Sequence, residues 1–311
     1  PKGERRKMMT KRIKSRNRFW RGLIVVLICV IFYGCGEGPK ALPEGLELTL
    51  SQGWKIHYLD QGPQDSPVVL FVHGLGGSSE YWKQTFASPE MKKYRCLAID
   101  MLGFGRSDKP KDFDYSLEKQ AETIREFLSL KKVNKVIYVG HSMGGSVGIA
   151  LARLQADLVE KLVLVDSTLH KDYAGSESLK LAGWGEFKFR LMFPILKIRS
   201  EKITSAFFEA PAEEIIKMAS RIMKQSTSYS FHRSIKGTFR LYEKRELLDF
   251  FKGLKIPHYY IYGTTDAGVA RMAKEQFGSE PWVHAIQGVR HCPMVEAPDR
   301  FNSVLGKVLA E

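Results

Sequence analysis

The chain has 311 residues, of which 44% are hydrophobic and 26% charged, a length and composition typical of one large domain with a sizeable core. The formal net charge is +14, but residues 1–34 hold ten Lys or Arg and one acid and so account for +9 of it. The remaining +5 is not interleaved with aromatic residues in a basic patch, so the sequence argues against a nucleic-acid partner.

The first segment, residues 1–35, is predicted to be an export signal. The uncharged apolar run Gly22–Tyr33 follows the basic residues. It is shorter than the roughly 20 residues of a membrane span and fits the core of a signal peptide. The stretch Phe32-Tyr33-Gly34-Cys35 resembles a bacterial lipobox, in which Cys35 is lipidated, although Phe32 stands where Leu is usual.

Three forms of this segment stay open: a lipoprotein, an uncleaved signal-anchor and a cleaved secreted protein. Since the chain opens on Pro1, Met8 and Met9 are alternative starts. All three forms place the body of the protein outside the cytosol or against a membrane, and the first two predict an exported, membrane-associated protein of the cell envelope. Residues 36–45, which carry Gly and Pro, are predicted to be a linker.

Outside the leader, Cys96 and Cys292 are the remaining cysteines, and they suggest buried thiols rather than a disulfide framework. The chain has no CxxC or His/Cys spacing typical of a metal site. We therefore expect no metal and no cofactor; the oligomeric state is left open.

After the linker, strand and helix patterns alternate. The runs Val68–Val72 and Leu162–Val165 are continuously apolar, which is typical of strands covered on both faces of a parallel sheet. The strand patterns are Leu46–Leu50, Trp54–Asp60, Val68–His73, Arg95–Asp100, Lys135–Val139, Val159–Asp166, Pro257–Tyr262 and Val283–Gln287. The helical patterns include Ser116–Leu130, Ser142–Gln155 and Pro298–Ala310. These patterns predict an α/β sandwich with a mostly parallel eight-stranded sheet, an antiparallel start and helices on both faces.

Residues 169–240 interrupt this alternation after the sixth strand. They are helical in pattern, rich in aromatic and basic residues, and contain no strand pattern. Such an insertion predicts a lid over the strand ends, where active sites of open α/β sheets lie. Trp184, Phe189 and Phe193 are candidate substrate-binding residues, with packing onto the body as the alternative. The lid divides the core into residues 46–168 and 241–311.

The segment Gly140-His141-Ser142-Met143-Gly144 reads G-x-S-x-G between a strand pattern and a helix pattern. A sharp strand–turn–helix of this kind exposes a serine at a helix N-terminus, and side chains at the two glycines would clash in so tight a turn. Ser142 is therefore the candidate nucleophile, and the alternative is a simple helix N-cap.

A serine nucleophile needs a base, and in this turn type the chain order is Ser, acid, His. His291 follows the last strand pattern and is the candidate base. Asp266, after the strand pattern ending at Tyr262, is the favoured acid that orients it. Asp166, which ends the previous strand pattern, is the competitor.

Backbone N–H groups would complete the site as an oxyanion hole. One is that of Met143, directly after the serine. The other comes from the loop His73-Gly74-Leu75-Gly76-Gly77, with Leu75 as the candidate donor and His73 in a structural role.

Together these motifs resemble the α/β-hydrolase fold superfamily, in its serine esterase and lipase-like branch, from about Leu46 to Glu311. The resemblance rests on HG followed by Trp82, DxxGxGxS from Asp100, GHSMGG, GxxD and HxPxxExP. Arg290 stands where a glycine usually precedes the histidine, and Ala267-Gly268-Val269 replaces a Pro-containing turn. The elbow serine argues against the dehalogenase and epoxide-hydrolase relatives, which use Asp there.

The resemblance implies a carboxylesterase or lipase. The lid aromatics and the leader favour an apolar acyl ester, for example a monoacylglycerol or another lipid ester. Two alternatives stay open. The same triad in relatives cleaves amides, thioesters or carbon–carbon bonds, and some hydrolase-fold proteins are binding or receptor proteins with an idle triad.

Overall fold

The computed structural model describes residues 45–243 and 245–311. The predicted export segment 1–35, with Cys35, and the linker up to residue 44 lie outside the described residues. Across the residues it does describe, no helix is both long enough and apolar enough to cross a membrane.

Eight strands form one sheet in the order β1-β2-β4-β3-β5-β6-β7-β8. They are β1 (Leu46–Thr49), β2 (Lys55–Gln61), β3 (Val68–Val72), β4 (Arg95–Ile99), β5 (Val136–His141), β6 (Val159–Val165), β7 (His258–Gly263) and β8 (Val283–Ile286). β2 pairs antiparallel with β1 and β4, and every other pairing is parallel. The predicted mostly parallel sheet with an antiparallel start is confirmed.

The α-helices are α1 (Lys83–Phe86), α2 (Leu117–Leu130), α3 (Met143–Leu154), α4 (Ser176–Ala182), α5 (Glu186–Ile198), α6 (Ser200–Ser205), α7 (Glu213–Lys224), α8 (Ser228–Tyr242), α9 (Glu246–Lys252), α10 (Ala267–Met272), α11 (Pro293–Glu296) and α12 (Pro298–Ala310). Short 3₁₀ turns span Ser79–Trp82, Pro89–Met91, Ala156–Leu158 and Lys171–Tyr173, and a π-helical turn spans Ala273–Phe277.

Each face of the sheet has its own core. Along β3, Leu70 and Val72 face one apolar cluster and Val69 and Phe71 face the other, because successive side chains of a strand point to opposite faces. The first cluster includes residues of α2, α3 and α9, and the second includes residues of α12. Burial on both faces explains why the runs Val68–Val72 of β3 and Leu162–Val165 of β6 are continuously apolar.

The lid helices α4 to α8 follow β6, as predicted, and α8 ends at Tyr242, two residues past the predicted boundary. The Tyr242 hydroxyl hydrogen-bonds the Ser146 hydroxyl of α3 at 3.0 Å. The last lid helix is therefore tied to the helix that begins directly after Ser142, so the lid ends on the part of the body that carries the candidate nucleophile.

We expect the cluster beneath α12 to contribute strongly to stability. Phe301 is fully buried, with its ring 6.2 Å from that of Trp82. Phe301→Ala should lower the free energy of unfolding by about 3–5 kcal/mol, because it leaves a cavity. Phe187, which is 75% exposed on the lid, is the matched control, and Phe187→Ala should change stability by no more than about 0.5 kcal/mol. Urea denaturation of both variants tests this, and equal effects would contradict it.

Candidate active site

Ser142 stands at the sharp turn between β5 and α3. Its backbone has φ 51° and ψ −121°, a conformation that L residues rarely adopt, and its N–H donates to the Val165 carbonyl of β6 at 2.8 Å. A Cβ on Gly140 would lie 2.6 Å from the Gly144 carbonyl oxygen, and one on Gly144 would lie 2.5 Å from that of Val72. The two glycines therefore allow the close backbone approach on which the turn depends.

His291 bridges Ser142 and Asp266. Its Nε2 is 3.0 Å from the Ser142 hydroxyl, and its Nδ1 is 2.7 Å from Asp266 Oδ2. The side chain is 17% exposed, so the imidazole remains partly accessible from outside. The three residues come from loops after β5, β7 and β8, which lie at one edge of the sheet because those strands are parallel.

Asp266 is held as a carboxylate. Burial by itself would raise its pKa, but the hydrogen bond and charge of His291, with the Val269 N–H and the Arg290 charge, together outweigh burial and leave the pKa below its ordinary value. Its other oxygen accepts the Val269 N–H at 3.3 Å at the start of α10. A carboxylate at Nδ1 keeps the proton on that nitrogen and leaves Nε2 free to accept the serine proton. The unusual Ala267-Gly268-Val269 turn therefore supports the carboxylate through a helix cap.

Asp166, the competing acid, lies behind this pair. It is fully buried at the end of β6 with φ 44°, and its carboxyl accepts the Gly263 N–H at 3.0 Å rather than bonding His291. Burial and the neighbouring Asp266 raise its pKa well above the ordinary value.

Carboxyl oxygens of both acids and a ring nitrogen of His291 lie within 4.8 Å of one another. Since Nδ1 of His291 carries the proton shared with Asp266, that nitrogen has no lone pair for a metal ion.

His73 fixes the peptide that carries the Leu75 N–H. The Met101 N–H donates to His73 Nε2 at 3.0 Å, so Nδ1 carries the ring proton and donates to the Gly74 carbonyl at 2.7 Å. That carbonyl and the Leu75 N–H belong to one planar peptide and point in opposite directions. The described backbone hydrogen bonds leave the Leu75 N–H without an acceptor.

The second candidate donor, Met143, is the first residue of α3. The first N–H groups of a helix have no intrahelical acceptor and carry a partial positive charge from the helix dipole. The Met143 N–H therefore stands directly beside the serine at the positive end of α3, where it is suited to an oxygen that becomes negative.

Three residues with no role assigned from the sequence hold the His291 loop. His141 is buried and has a pKa of about 3 because of burial and the adjacent His291, so it stays neutral; its Nε2 lies 2.7 Å from the His291 carbonyl oxygen. The His291 N–H donates to the Phe207 carbonyl at 3.0 Å, and the Phe207 ring lies 5.5 Å from the imidazole. Glu296 accepts the Arg290 N–H at 2.9 Å.

Glu296 also accepts the N–H groups of Glu209 and Ala210, at 2.7 and 3.2 Å. One carboxylate thus joins the histidine loop to the lid segment 207–210. His141 lies in the GHSMGG motif and Glu296 in the HxPxxExP motif, so the sequence itself could have pointed to both residues. Arg290, which stands where a glycine is usual, fits here because its backbone N–H rather than its side chain contacts Glu296.

The predicted lid candidates form the interior of the lid. Phe189 is fully buried and stacks on Phe231 at 6.1 Å, Phe193 lies 6.0 Å from Phe231, and Trp184 lies 6.2 Å from Phe189. A Cβ on Gly76 would lie 3.0 Å from the Phe231 ring, so Phe231 contacts the oxyanion loop. Direct substrate contact by the three predicted residues stays a prediction, because Phe231 lies between two of them and that loop.

Met223 joins Phe231 against the oxyanion loop, 3.6 Å from a Cβ placed on Gly76. Two surface cavities, of about 950 and 460 Å³, have linings that include neither Ser142 nor His291. The lining of the smaller one includes Asp266. The apolar lid side chains Phe231 and Met223 thus border the loop that carries the candidate Leu75 donor.

Residues 67–279 match the family model described as alpha/beta hydrolase fold, and the chain belongs to this family. Lipase 1 of Psychrobacter immobilis is 27% identical over 90% of this chain and 96% of its own length. Among solved structures, a bacterial membrane phospholipase A has a TM-score of 0.71 at 21% identity, covering 94% of this chain and 98% of its own. An esterase from Exiguobacterium antarcticum has a TM-score of 0.71 at 19% identity, covering 86% and 100%. The chain is a hydrolase of the α/β fold.

The buried Asp166 should make stability depend on pH. Above the ordinary pKa of 3.8 the unfolded chain loses this proton while the folded chain keeps it, so stability falls as the pH rises. Asp166→Asn, which keeps an acceptor for Gly263, removes that contribution. Its free energy of unfolding should therefore improve relative to wild type as the pH rises above the ordinary pKa of 3.8, by up to about 1.4 kcal/mol per pH unit. Urea denaturation across pH tests this, and a difference independent of pH would contradict it.

Proposed function

We propose that the chain is a serine hydrolase that cleaves carboxylic esters of apolar acyl chains, in the manner of a carboxylesterase or lipase. The observation that carries the proposal is the bridge made by His291, 3.0 Å from the Ser142 hydroxyl and 2.7 Å from Asp266. A hydroxyl within reach of an oriented imidazole is the arrangement that acyl transfer requires.

In this proposal Ser142 attacks the ester carbonyl while His291 Nε2 takes its proton. Asp266 stabilises the imidazolium that forms and does not itself become protonated, in keeping with its lowered pKa. His291 then gives the proton to the leaving alcohol, and an acyl group remains on Ser142. Water, activated by the same imidazole, hydrolyses this acyl-enzyme and restores the serine.

The negative oxygen of each tetrahedral intermediate would be held by the N–H groups of Leu75 and Met143. A preorganised donor of this kind contributes about 3 kcal/mol to transition-state stabilisation. Support comes from His73, which bonds the Gly74 carbonyl at 2.7 Å and so turns the Leu75 N–H outward. His73 would thus act as a positioning residue rather than a catalytic one.

An apolar acyl chain is the favoured substrate class because of the side chains around the serine. Phe231 and Met223 lie against the oxyanion loop, and the Phe207 ring covers one side of His291. The Psychrobacter relative is named a lipase and the structural neighbour a phospholipase, which is consistent with a lipid ester. We further propose that the protein is exported and held at the membrane by residues 1–35, because of their basic and apolar composition.

Ser142→Ala should abolish turnover of p-nitrophenyl esters, lowering the rate by about 10⁶-fold, since the nucleophile of the acyl-enzyme is lost. A fluorophosphonate probe should label wild type and not the variant. An assay of matched ester, amide and thioester substrates should show a preference for esters that grows with acyl length. No ester turnover by wild type, or full turnover by the variant, would contradict the proposal.

Asp266→Asn should lower kcat by about 10⁴-fold, because an amide at this place no longer holds the imidazole in the required tautomer. Asp166→Asn is the matched control, since it changes the neighbouring acid in the same way, and it should keep kcat within about tenfold. Steady-state kinetics on one soluble ester compare the two. A larger loss in the Asp166 variant would reverse the assignment of the acid.

A further inference from the structure

Helix α5 of the lid exposes an unusual row of apolar side chains. Phe187, Leu191, Ile195 and Ile198 are 75%, 67%, 41% and 80% exposed, and exposed Pro194 lies among them. At about 100° per residue these positions fall within an arc of roughly 100° on one side of the helix. We call these five residues the ridge. Such a contiguous exposed apolar row on a soluble surface marks an interaction site.

The ridge is not the lid's packing surface. The buried Phe189 and Phe193 lie on the opposite side of α5, against Phe231 of α8. The helix is therefore apolar on two sides, and only one of them is used for packing within the described residues.

Basic side chains flank the ridge on both sides. Lys188 and Arg199 lie along one edge of the helix, and Arg190 and Lys197 along the other, by the same helical spacing. None of these four cations pairs with a carboxylate among residues 45–243 and 245–311. Residues 186–202 carry five basic and two acidic residues, and Glu186 is already paired with Arg233 at 3.0 Å.

We propose that the ridge docks into the headgroup region of a lipid bilayer with anionic headgroups. An amphipathic helix that lies in a membrane interface presents Phe and Leu to the acyl chains and Lys and Arg to the headgroups, which is the distribution on α5. A second copy of the chain is a poorer occupant, because a two-fold contact through the ridge would bring together two sets of cations that have no carboxylate partner among the described residues.

Docking through the ridge goes beyond ester hydrolysis and is separate from any anchoring by residues 1–35. It would also bring the site towards its lipid. The chain leads from α5 through α6 directly to Phe207, whose carbonyl accepts the His291 N–H at 3.0 Å. A lid docked through α5 would thus place the segment that holds the histidine loop next to the membrane surface.

Fluorescent labels at single cysteines test this directly in the full chain. Cys29→Ser and Cys35→Ser remove the leader thiols, while Cys96 and Cys292 are buried out of reach of the label. An environment-sensitive NBD label is placed at Phe187→Cys or Ile198→Cys on the ridge. Leu130→Cys and Leu154→Cys, 50% and 43% exposed on the body, are the matched controls.

With vesicles of equal phosphatidylcholine and phosphatidylglycerol, the ridge labels should shift to the blue and be quenched by doxyl groups in the bilayer, and the body labels should not. Unchanged ridge labels, or the same change at all four positions, would overturn the proposal. A concentration-dependent shift of the ridge labels without vesicles, with faster sedimentation, would identify self-association instead and would also overturn it.

Charge variants test the headgroup contact. Lys188→Gln with Arg199→Gln should weaken vesicle affinity, read from the ridge label, by about fivefold per removed charge. Lys92→Gln with Lys252→Gln, on exposed body positions, should leave it unchanged. Equal affinities for the two double variants would overturn the electrostatic part of the proposal.

An activity comparison separates this inference from the proposed function. The variant Phe187→Ser/Leu191→Ser/Ile198→Ser should keep turnover of a short soluble ester and lose at least tenfold on a long-chain ester carried in vesicles. Absence of ester turnover by wild type would count against the hydrolase proposal, while the label measurements would still decide docking. If the triple variant turned over the long-chain ester in vesicles as fast as wild type, the inference that the ridge serves the candidate site would be overturned.

Discussion

The candidate site depends on the backbone of Ser142. A residue at φ 51° between a strand and a helix is strained, and such strain persists only where surrounding contacts outweigh it. Here the Ser142 N–H bonds the Val165 carbonyl at 2.8 Å, and glycines on either side allow the chain to turn back within van der Waals contact. The turn fixes the hydroxyl above the sheet and places the free N–H groups of α3 beside it. If the Ser142 backbone relaxed to an ordinary conformation, the hydroxyl and these N–H groups would be displaced together.

Around this fixed point, the histidine is held by the lid as much as by the body. The His291 carbonyl accepts a hydrogen bond from the His141 side chain of β5, and the His291 N–H donates to the Phe207 carbonyl of the lid. Glu296 ties the same loop to residues 209 and 210. Movements of the segment 207–210 would therefore reach the imidazole directly. Three hydrogen bonds therefore couple the lid to the imidazole beside Ser142: one from the His291 N–H to Phe207, and two from residues 209 and 210 to Glu296.

Much of the body could be predicted because local pattern and burial agree there. The runs in β3 and β6 are apolar throughout because helices cover both faces, and Pro298–Ala310 has the bounds predicted from its pattern. The lid interior was not predictable in the same way. Helix α5 carries large apolar residues on two sides, so its sequence does not say that Phe189 packs inward while Phe187 stays exposed. His141 and Glu296 lie inside recognisable motifs, but their partners are about 150 and 87 residues away in the chain, so no local pattern predicts these contacts.

The central claim is that Ser142 carries the acyl group of an ester during turnover. The most direct measurement is acid quenching of the protein during steady-state turnover of a long-chain p-nitrophenyl ester, followed by peptide mass spectrometry. The account predicts that the peptide containing Ser142 gains the mass of the acyl group, with accumulation in the first turnover. Turnover without acylation of that peptide, or with the acyl group on another residue, would contradict it.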